Sequence, residues 1–186
     1  MHNTMDIQEN IVNKVAQSAL VSLDLADLYP AGERFFYDIK DNLFQGLMLK
    51  EKDFREFIKG HNWDSYTDKH IAIGCSADAI VPTWAYMLLA NKMAAFAKTV
   101  VFGDLKLLET ILFERELSKM DIEKYRDQRV VVKGCGEIAV PDSAYIDITV
   151  KLSHVAKSIM YGEPCSTVPI FKRSESSPES LALSPE

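Results

Sequence analysis

Cysteine is scarce in this sequence, and its few cysteines lack the CxxC spacing that is typical of metal sites. The 186 residues include three cysteines, and no two of them form a CxxC pair. Zinc ribbons and thioredoxin-like redox sites use that pair. An odd number of cysteines without a secretion signal predicts free thiols in a reducing compartment rather than a disulfide framework. We therefore expect a cytoplasmic protein.

The short motifs that identify many enzymes are also missing. The sequence contains no GxGxxG, Walker A, HExxH or GxSxG pattern. Long apolar runs are absent too, because Pro82, Asn91 and Lys92 interrupt the most apolar window, residues 79–97. That window favours a buried helix over a membrane span. The first residues include acidic side chains and no apolar core followed by a cleavage site, so we expect no signal peptide.

Positive charge is in deficit. Lys and Arg number 21 against 27 Asp and Glu, which gives a formal net charge of -6 and a pI of about 5.3. This balance argues against nucleic acid or an anionic membrane as the main partner. Hydrophobic residues make up 47% and charged residues 26%, which is typical of a globular chain. We expect one α/β domain over residues 1–171 and a disordered tail rich in Ser, Pro and Glu over residues 172–186.

Strands and helices alternate from His70 onward. The predicted strands are His70–Cys75, Thr99–Gly103, Arg129–Gly134 and Ser158–Tyr161, and the predicted helices are Thr83–Lys98, Leu105–Lys119 and Asp142–Lys157. Two of these strands contain continuous apolar runs, as parallel strands buried on both faces do. The alternation predicts βαβ crossovers. The fold class is therefore α/β, with a mainly parallel or mixed central sheet.

The part of the chain before His70 has a different pattern. A four-residue apolar period predicts an N-terminal helix over Asp6–Ala19. Leu20–Leu25 and Arg34–Ile39 read as extended segments, which we expect to form antiparallel edge strands, and Leu47–Leu49 as a further strand. Asp53–Lys59 reads as a short helix that Gly60 ends.

All three cysteines precede a Val-Pro dipeptide. Cys75 leads to Val81-Pro82, Cys135 to Val140-Pro141, and Cys165 to Val168-Pro169. The first two phrases continue alike, as PTWAY and PDSAY, and each of their cysteines comes after a glycine at the end of a predicted strand. Ligands of parallel α/β sheets bind at the carboxyl ends of the strands. We therefore expect the three thiols to gather at one sheet edge, with Cys165 placed there by inference from the fourth strand.

A three-cysteine site predicts metal or sulfur chemistry. Zinc takes four ligands, so a protein side chain or water would complete the set. An iron–sulfur cluster needs a fourth ligand as well. The acidic candidates for that position are Asp78, Asp104, Glu137 and Glu163. On this interpretation the chain is an accessory protein that binds zinc or an iron–sulfur cluster through Cys75, Cys135 and Cys165.

Two other interpretations stay open. One is a thiol-based enzyme or sulfur acceptor that uses a single activated cysteine, Cys75 or Cys165. The other is a non-catalytic interaction domain whose cysteines pack as small apolar side chains. Asp104 also has a purely structural interpretation as the cap of the following helix. Likewise, the VPxxAY phrase could serve only to start two helices, with proline in the first turn.

Several stretches resemble those of one bacterial family. They are EKDFREF, CSADAIVPTWAYMLL, VVFGD, VKGC and SIMYGEPCSTVPIFKR. The family is an uncharacterised domain of unknown function, and the similarity extends over about Asn10–Arg173. Its genes often lie near those for sulfur-mobilising iron–sulfur cluster assembly. The resemblance therefore implies iron–sulfur or sulfur chemistry at the three cysteines and assembly proteins as partners. The order of elements is also similar to that of STAS-like domains.

Overall fold

The fold was analysed in a computed structural model that describes residues 20–134, 136–163 and 166–174. The described strands are β1 (Leu20–Asp24), β2 (Arg34–Asp38), β3 (His70–Gly74), β4 (Thr99–Phe102), β5 (Arg129–Lys133), β6 (Ser158–Glu163) and β7 (Ser166–Lys172). The described helices are α1 (Glu51–Gly60), α2 (Thr83–Met93), α3 (Leu105–Lys119) and α4 (Asp142–Ser153). Four short 3-10 turns connect them, at Leu25–Leu28, Ile39–Asn42, Trp63–Tyr66 and Glu123–Tyr125.

The strands form two sheets. One has the order β1-β5-β6-β7 and the other the order β2-β3-β4. Every strand pair is parallel except β6 with β7. Helices come after β3, β4 and β5, so the α/β class with parallel strands is confirmed. The strands divide between two sheets, however, where the sequence predicts one central sheet.

The chain clusters into two compact units. The first unit contains the described parts of residues 20–27, 121–138 and 145–174, and so holds β1, β5, β6, β7 and most of α4. The second unit contains residues 28–120 and 139–144, and so holds β2, β3, β4 and the first three helices.

The core of the second unit lies on both faces of β3, whose five residues are all buried. Ile71 and Ile73 belong to a cluster that includes Phe54 of α1 and Leu89 of α2. Ala72, which points to the opposite face, packs with buried leucines of α3. Alternation along the strand therefore explains why helices cover both faces of this sheet.

The core of the first unit depends on β5 in the same way. Val130, Val131 and Val132 are at most 3% exposed, and Ile148 of α4 and Ile159 of β6 are equally buried. The run of three valines fits a strand that is buried on both faces, as the sequence predicts.

The two units repeat one βαβ arrangement. In the second unit β3, α2 and β4 come in succession, and in the first unit β5, α4 and β6 do. The central strand pairs in parallel with an earlier strand in each unit, β3 with β2 and β5 with β1. Both repeats begin after a buried tyrosine, Tyr66 or Tyr125. A glycine with positive φ also occurs near the last strand of each repeat. Gly103 directly follows β4 and has a φ of 139°, and Gly162 lies within β6 and has a φ of 120°. The similarity of the PTWAY and PDSAY phrases is thus part of a longer structural repeat.

Loops of the same backbone conformation precede β3 and β5. Asp68 and Asp127 have positive φ values of 61° and 58°, a conformation that Asp tolerates better than most residues. Their amides donate to the carbonyls of Phe96 (3.1 Å) and Val155 (2.9 Å). α2 and α4 end at Met93 and Ser153, two or three residues before these carbonyls. The predictions of Lys98 for α2 and Lys157 for α4 were therefore about one turn too long.

Other predictions also need correction. Leu47–Leu49 is not a strand, because Met48 makes only isolated bridges, to Phe44 and Ile80, after a turn with positive φ at Gln45. The predicted edge strands β1 and β2 are parallel to their neighbours β5 and β3, not antiparallel. The antiparallel edge strand is β7, which the sequence did not predict.

The two ends of the chain fall largely outside the described part. The predicted helix Asp6–Ala19 lies outside the described residues. Of the predicted tail, Lys172 ends β7 and the amide of Arg173 donates to the Lys157 carbonyl at 2.9 Å. Residues 175–186 lie outside the described part of the chain.

Candidate functional site

Of the three cysteines, the structure describes only Cys75. It comes directly after β3, as predicted, and its half-buried thiol donates to the Ala77 carbonyl at 3.5 Å. Its side chain packs against the apolar cluster around Ile73. Cys135 and Cys165 lie outside the described residues. Within residues 20–134, 136–163 and 166–174, no three His, Cys, Asp or Glu side chains form a metal-binding group.

The four predicted acidic ligands have separate positions. Asp78 and Glu137 are exposed in loops, and Glu163 is the last residue of β6 and pairs with Ser166. Asp104 caps α3, because its Oδ1 accepts from the Leu107 amide at 2.8 Å. The structural interpretation of Asp104 as a helix cap is confirmed.

The three Val-Pro phrases occupy different places in the fold. Pro82 and Pro141 directly precede α2 and α4, and their carbonyls accept from Ala85 and Ala144, each at 2.9 Å. The helix-start interpretation therefore holds for the first two phrases. In the third phrase, Val168-Pro169 lies inside β7, not ahead of a helix. The expected equivalence of the Cys165 phrase with the other two was wrong in this respect.

The loop after Cys75 is fixed by Asp38, the last residue of β2. Its Oδ1 accepts from the Ser76 amide (3.0 Å) and the Lys40 amide (3.1 Å), and its Oδ2 accepts from the Ser76 hydroxyl (2.5 Å). Burial alone would raise the pKa of Asp38, but the hydrogen bonds from Ser76 and Lys40 outweigh it and lower the pKa to about 2. The carboxylate is thus a structural clamp between the end of β2 and this loop.

An apolar groove of about 580 Å³ lies between α2 and β4 in the second unit. It is lined by Ile73, Ala79, Val81, Thr83, Tyr86, Met87, Ala90, Val100, Val101 and Phe102. Tyr86 and Phe102 form its wall, with ring centroids 5.0 Å apart in an edge-on contact. Burial in this apolar setting raises the pKa of Tyr86, and the neighbouring Cys75 and Asp38 raise it further. The phenol is therefore neutral at physiological pH.

Large apolar side chains around this groove face solvent. Met87 and Phe102 are each 66% exposed, and Ile80, next to two lining residues, is 89% exposed. Single exposed apolar residues are ordinary on protein surfaces, but a cluster beside a concave apolar groove is typical of a binding site.

The equivalent groove of the first unit is smaller. It measures about 280 Å³ and is lined at corresponding positions, where Val132 replaces Ile73, Tyr145 replaces Tyr86 and Tyr161 replaces Phe102. The two tyrosine rings again meet edge-on, at 5.6 Å. The linings differ in two respects. β7 adds Ile170 to the first-unit groove, and Ala79, Val81 and Thr83 line the second-unit groove alone. The first unit thus shows the groove with a strand beside it, whereas no described strand lies beside the groove of the second unit.

A third concavity, of about 370 Å³, lies next to β2 and is rich in aromatic residues. Tyr66 stands at its centre, with its hydroxyl 2.8 Å from His61 Nε2 and its ring 5.5 Å from that of Phe35. Burial raises the pKa of Tyr66 and lowers that of His61, so both are neutral at pH 7. Since these rings pack on one another, they serve the core of the second unit.

The fold and the two grooves define an α/β protein built from a repeated βαβ unit. The family model for a protein of unknown function (DUF2480) matches residues 9–173, and the chain belongs to that family. No curated protein and no solved structure matches the chain. In the described residues, no helix combines the length and the apolar character needed to cross a membrane.

Sequence reasoning missed the groove for a definite reason. Val100, Val101 and Phe102 read as a strand buried on both faces, yet β4 lies at the edge of a three-stranded sheet and Phe102 is exposed. The order of strands in a sheet cannot be read from apolar patterning. The repeated VPxxAY phrase was the available signal, because its tyrosine lines both grooves.

Proposed function

We propose that this protein is a non-catalytic interaction domain that binds a segment of a partner protein in the groove between α2 and β4. The observation that carries the proposal is the contrast between the two repeats. In the first unit a strand of the chain itself borders the groove, whereas the second-unit groove is about twice as large and rimmed by exposed Met87 and Phe102.

The chemistry of the groove suits a protein segment. Its lining offers apolar side chains and aromatic faces, with Thr83 and the Tyr86 hydroxyl as the polar side-chain groups. Burying such surface contributes roughly 25 cal/mol per Å² of apolar area. Aromatic residues and methionine are also enriched at protein interfaces. On this proposal, Cys75 is a structural residue that packs behind the groove.

Site-specific photocrosslinking tests this function. A photoreactive phenylalanine analogue at Met87 should crosslink a discrete partner in the source cells. The same group at Lys92, exposed on α2 but about 140° further round the helix, should not. The identified partner, once purified, should bind the wild-type chain and bind Phe102→Asp at least about tenfold more weakly, because the aspartate leaves an unpaired charge in an apolar contact.

The comparison of affinities requires that the Phe102→Asp variant remains folded. Phe102 is 66% exposed at a sheet edge, but its ring contacts Tyr86 edge-on, so Phe102→Asp should lower the free energy of unfolding by about 0.5–1.5 kcal/mol and leave the chain folded. Equal crosslinking at positions 87 and 92, or equal partner affinity of the wild type and the stable variant, would refute the proposal.

A metal- or iron–sulfur-binding accessory role through Cys75, Cys135 and Cys165 is the second candidate. It is supported by the repeat, because Gly74 before Cys75 and Gly134 before Cys135 stand at the ends of equivalent strands. An iron–sulfur cluster or zinc would be the cofactor, and cluster assembly proteins the partners. Anaerobic purification with visible spectra and elemental analysis tests it. About one zinc or one cluster per chain, lost in the triple Cys→Ser variant, is the expected result, and a metal-free, colourless wild type would refute it.

A further inference from the structure

We infer that the partner segment binds as an extended strand that adds to β4 in antiparallel orientation, as β7 adds to β6 in the first unit. The inference rests on the proposed function and specifies its binding mode. It assigns the occupant as a protein segment with an apolar side chain directed into the groove.

The outer edge of β4 offers the backbone groups that such a strand needs. The Gly103 amide donates to the Ile73 carbonyl of β3 at 2.9 Å. Backbone groups of successive residues in a strand point to opposite sides, so Val100 and Phe102 direct their amides and carbonyls away from β3. No strand among the described residues pairs with this side of β4.

The first unit shows the same edge in its paired state. Ser158 donates to the Gln128 carbonyl at 3.4 Å, so the alternation directs Ile159 and Tyr161 outward from β5. These two residues pair with Phe171 and Val168 of β7. The equivalent residues in the second unit are Val100 and Phe102. The repeat thus supplies, within this chain, an example of the strand addition inferred for β4.

The two edges also differ in protection against further pairing. β7 carries Pro169, which has no amide hydrogen, and its ladder with β6 has an irregularity between Ile159 and Met160. Proline and bulges are common devices that stop edge strands from recruiting other chains. β4 consists of Thr99, Val100, Val101 and Phe102, with no proline, charge or bulge. β2, the other edge of this sheet, begins with Arg34 and ends with Asp38.

The side-chain preference of the added strand is indicated by Ile170. It lies at the irregularity in β7, between Pro169, paired with Met160, and Phe171, paired with Ile159, and it lines the first-unit groove. A partner strand in the same register would direct the equivalent side chain towards Tyr86 and Met87. Because both walls there are apolar, the partner needs an apolar side chain at that position.

Peptides of the β7 sequence provide the test. A capped peptide Ser166–Lys172 is titrated into the full-length, isotope-labelled protein, and resonances of Val100, Phe102 and Met87 are monitored. N-methylation at the peptide's Val168 removes an amide that would donate to β4, whereas N-methylation at Thr167 modifies an amide that points outward. Saturable shifts at the three residues are expected, with Kd raised at least about tenfold by the first methylation and by no more than about threefold by the second.

Each alternative outcome overturns the inference in a distinct way. Equal effects of the two methylations, with shifts still at Met87, would show apolar groove binding without strand addition and leave the proposed function intact. Shifts at Tyr161 instead would mean exchange with β7. No shift at all would exclude β4 as an acceptor for such a strand. A wild-type dimer that Phe102→Asp dissociates would identify a second copy of the chain as the occupant.

Discussion

Asp38 is the residue whose chemistry the structure defines most sharply. Three hydrogen bonds, two from Ser76 and one from the Lys40 amide, converge on its carboxylate. None of them is visible in the sequence, because Asp38 and Ser76 are far apart along the chain and meet only when β2 pairs with β3. The clamp fixes the loop that carries Cys75 and leads to the groove.

Replacing Asp38 should therefore alter both stability and its pH dependence. Asp38→Ala should lower the free energy of unfolding by about 0.5–1.5 kcal/mol at pH 7, because it removes the acceptor of three hydrogen bonds whose donors, on exposed Ser76 and Lys40, then bind water. The wild-type pKa of about 2 lies below the ordinary value of 3.8, so the carboxylate stabilises the fold above pH 4, and this contribution is lost as pH falls through 2. Urea unfolding at several pH values measures both effects.

The control for this measurement is Asp64→Asn, a change at an exposed aspartate of the Trp63–Tyr66 turn. It should have the same stability curve as the wild type. The difference in unfolding free energy between the wild type and Asp38→Ala should narrow between pH 5 and pH 2. A gap that stays constant over this range would contradict the assigned role of the carboxylate.

Gly162 makes the tight approach of β6 and β7 possible. Its φ is 120°, and a Cβ there would lie 2.6 Å from the Ser166 carbonyl oxygen. Gly162→Ala should therefore cost about 1–3 kcal/mol of unfolding free energy. Gly60→Ala, at the end of α1 with no atom within 4 Å of the new Cβ, should be neutral or stabilising. Thermal unfolding should give a lower melting temperature for Gly162→Ala than for Gly60→Ala. Similar melting temperatures would contradict the strain assigned to position 162.

Among the elements, β7 protects the edge of its sheet. Pro169 is exposed and lacks the amide with which another strand could pair. Pro169→Val should restore that amide on a strand rich in β-branched residues, and so promote concentration-dependent self-association. Sedimentation velocity at increasing concentrations measures the effect. A variant that sediments like the wild type at every concentration would contradict the protective role of Pro169.

The sequence predicted most helices and strands, but not their arrangement. Apolar runs and helix-start signals sufficed for β3, α3 and β5, whose observed bounds agree with the predicted ones to within one residue. The ends of α2 and α4 were misjudged because the residues that follow each helix form a loop bonded to a distant part of the chain, at Asp68 or Asp127. β7 was missed because Pro169 interrupts its pattern, and proline is tolerated there only because the strand lies at an edge.

At the scale of the whole molecule, the central feature is the βαβ unit that occurs twice. Both copies have an apolar groove between a helix and the last strand of the repeat, and only one copy has a further described strand beside it. Sequence comparison of the two PxxAY phrases indicated a repeat. Its functional asymmetry became visible only with the strand order, since that order depends on contacts between distant parts of the chain.

Amide hydrogen exchange of the free protein tests this asymmetry most directly. The amides of Ile159 and Tyr161, paired with β7, should exchange at least about 100-fold more slowly than those of Val100 and Phe102, which occupy the equivalent places on β4. The account predicts this contrast at protein concentrations where the chain is monomeric. Equal protection at the two edges would show that β4 is already covered, and would contradict the claim that it is open to a partner strand.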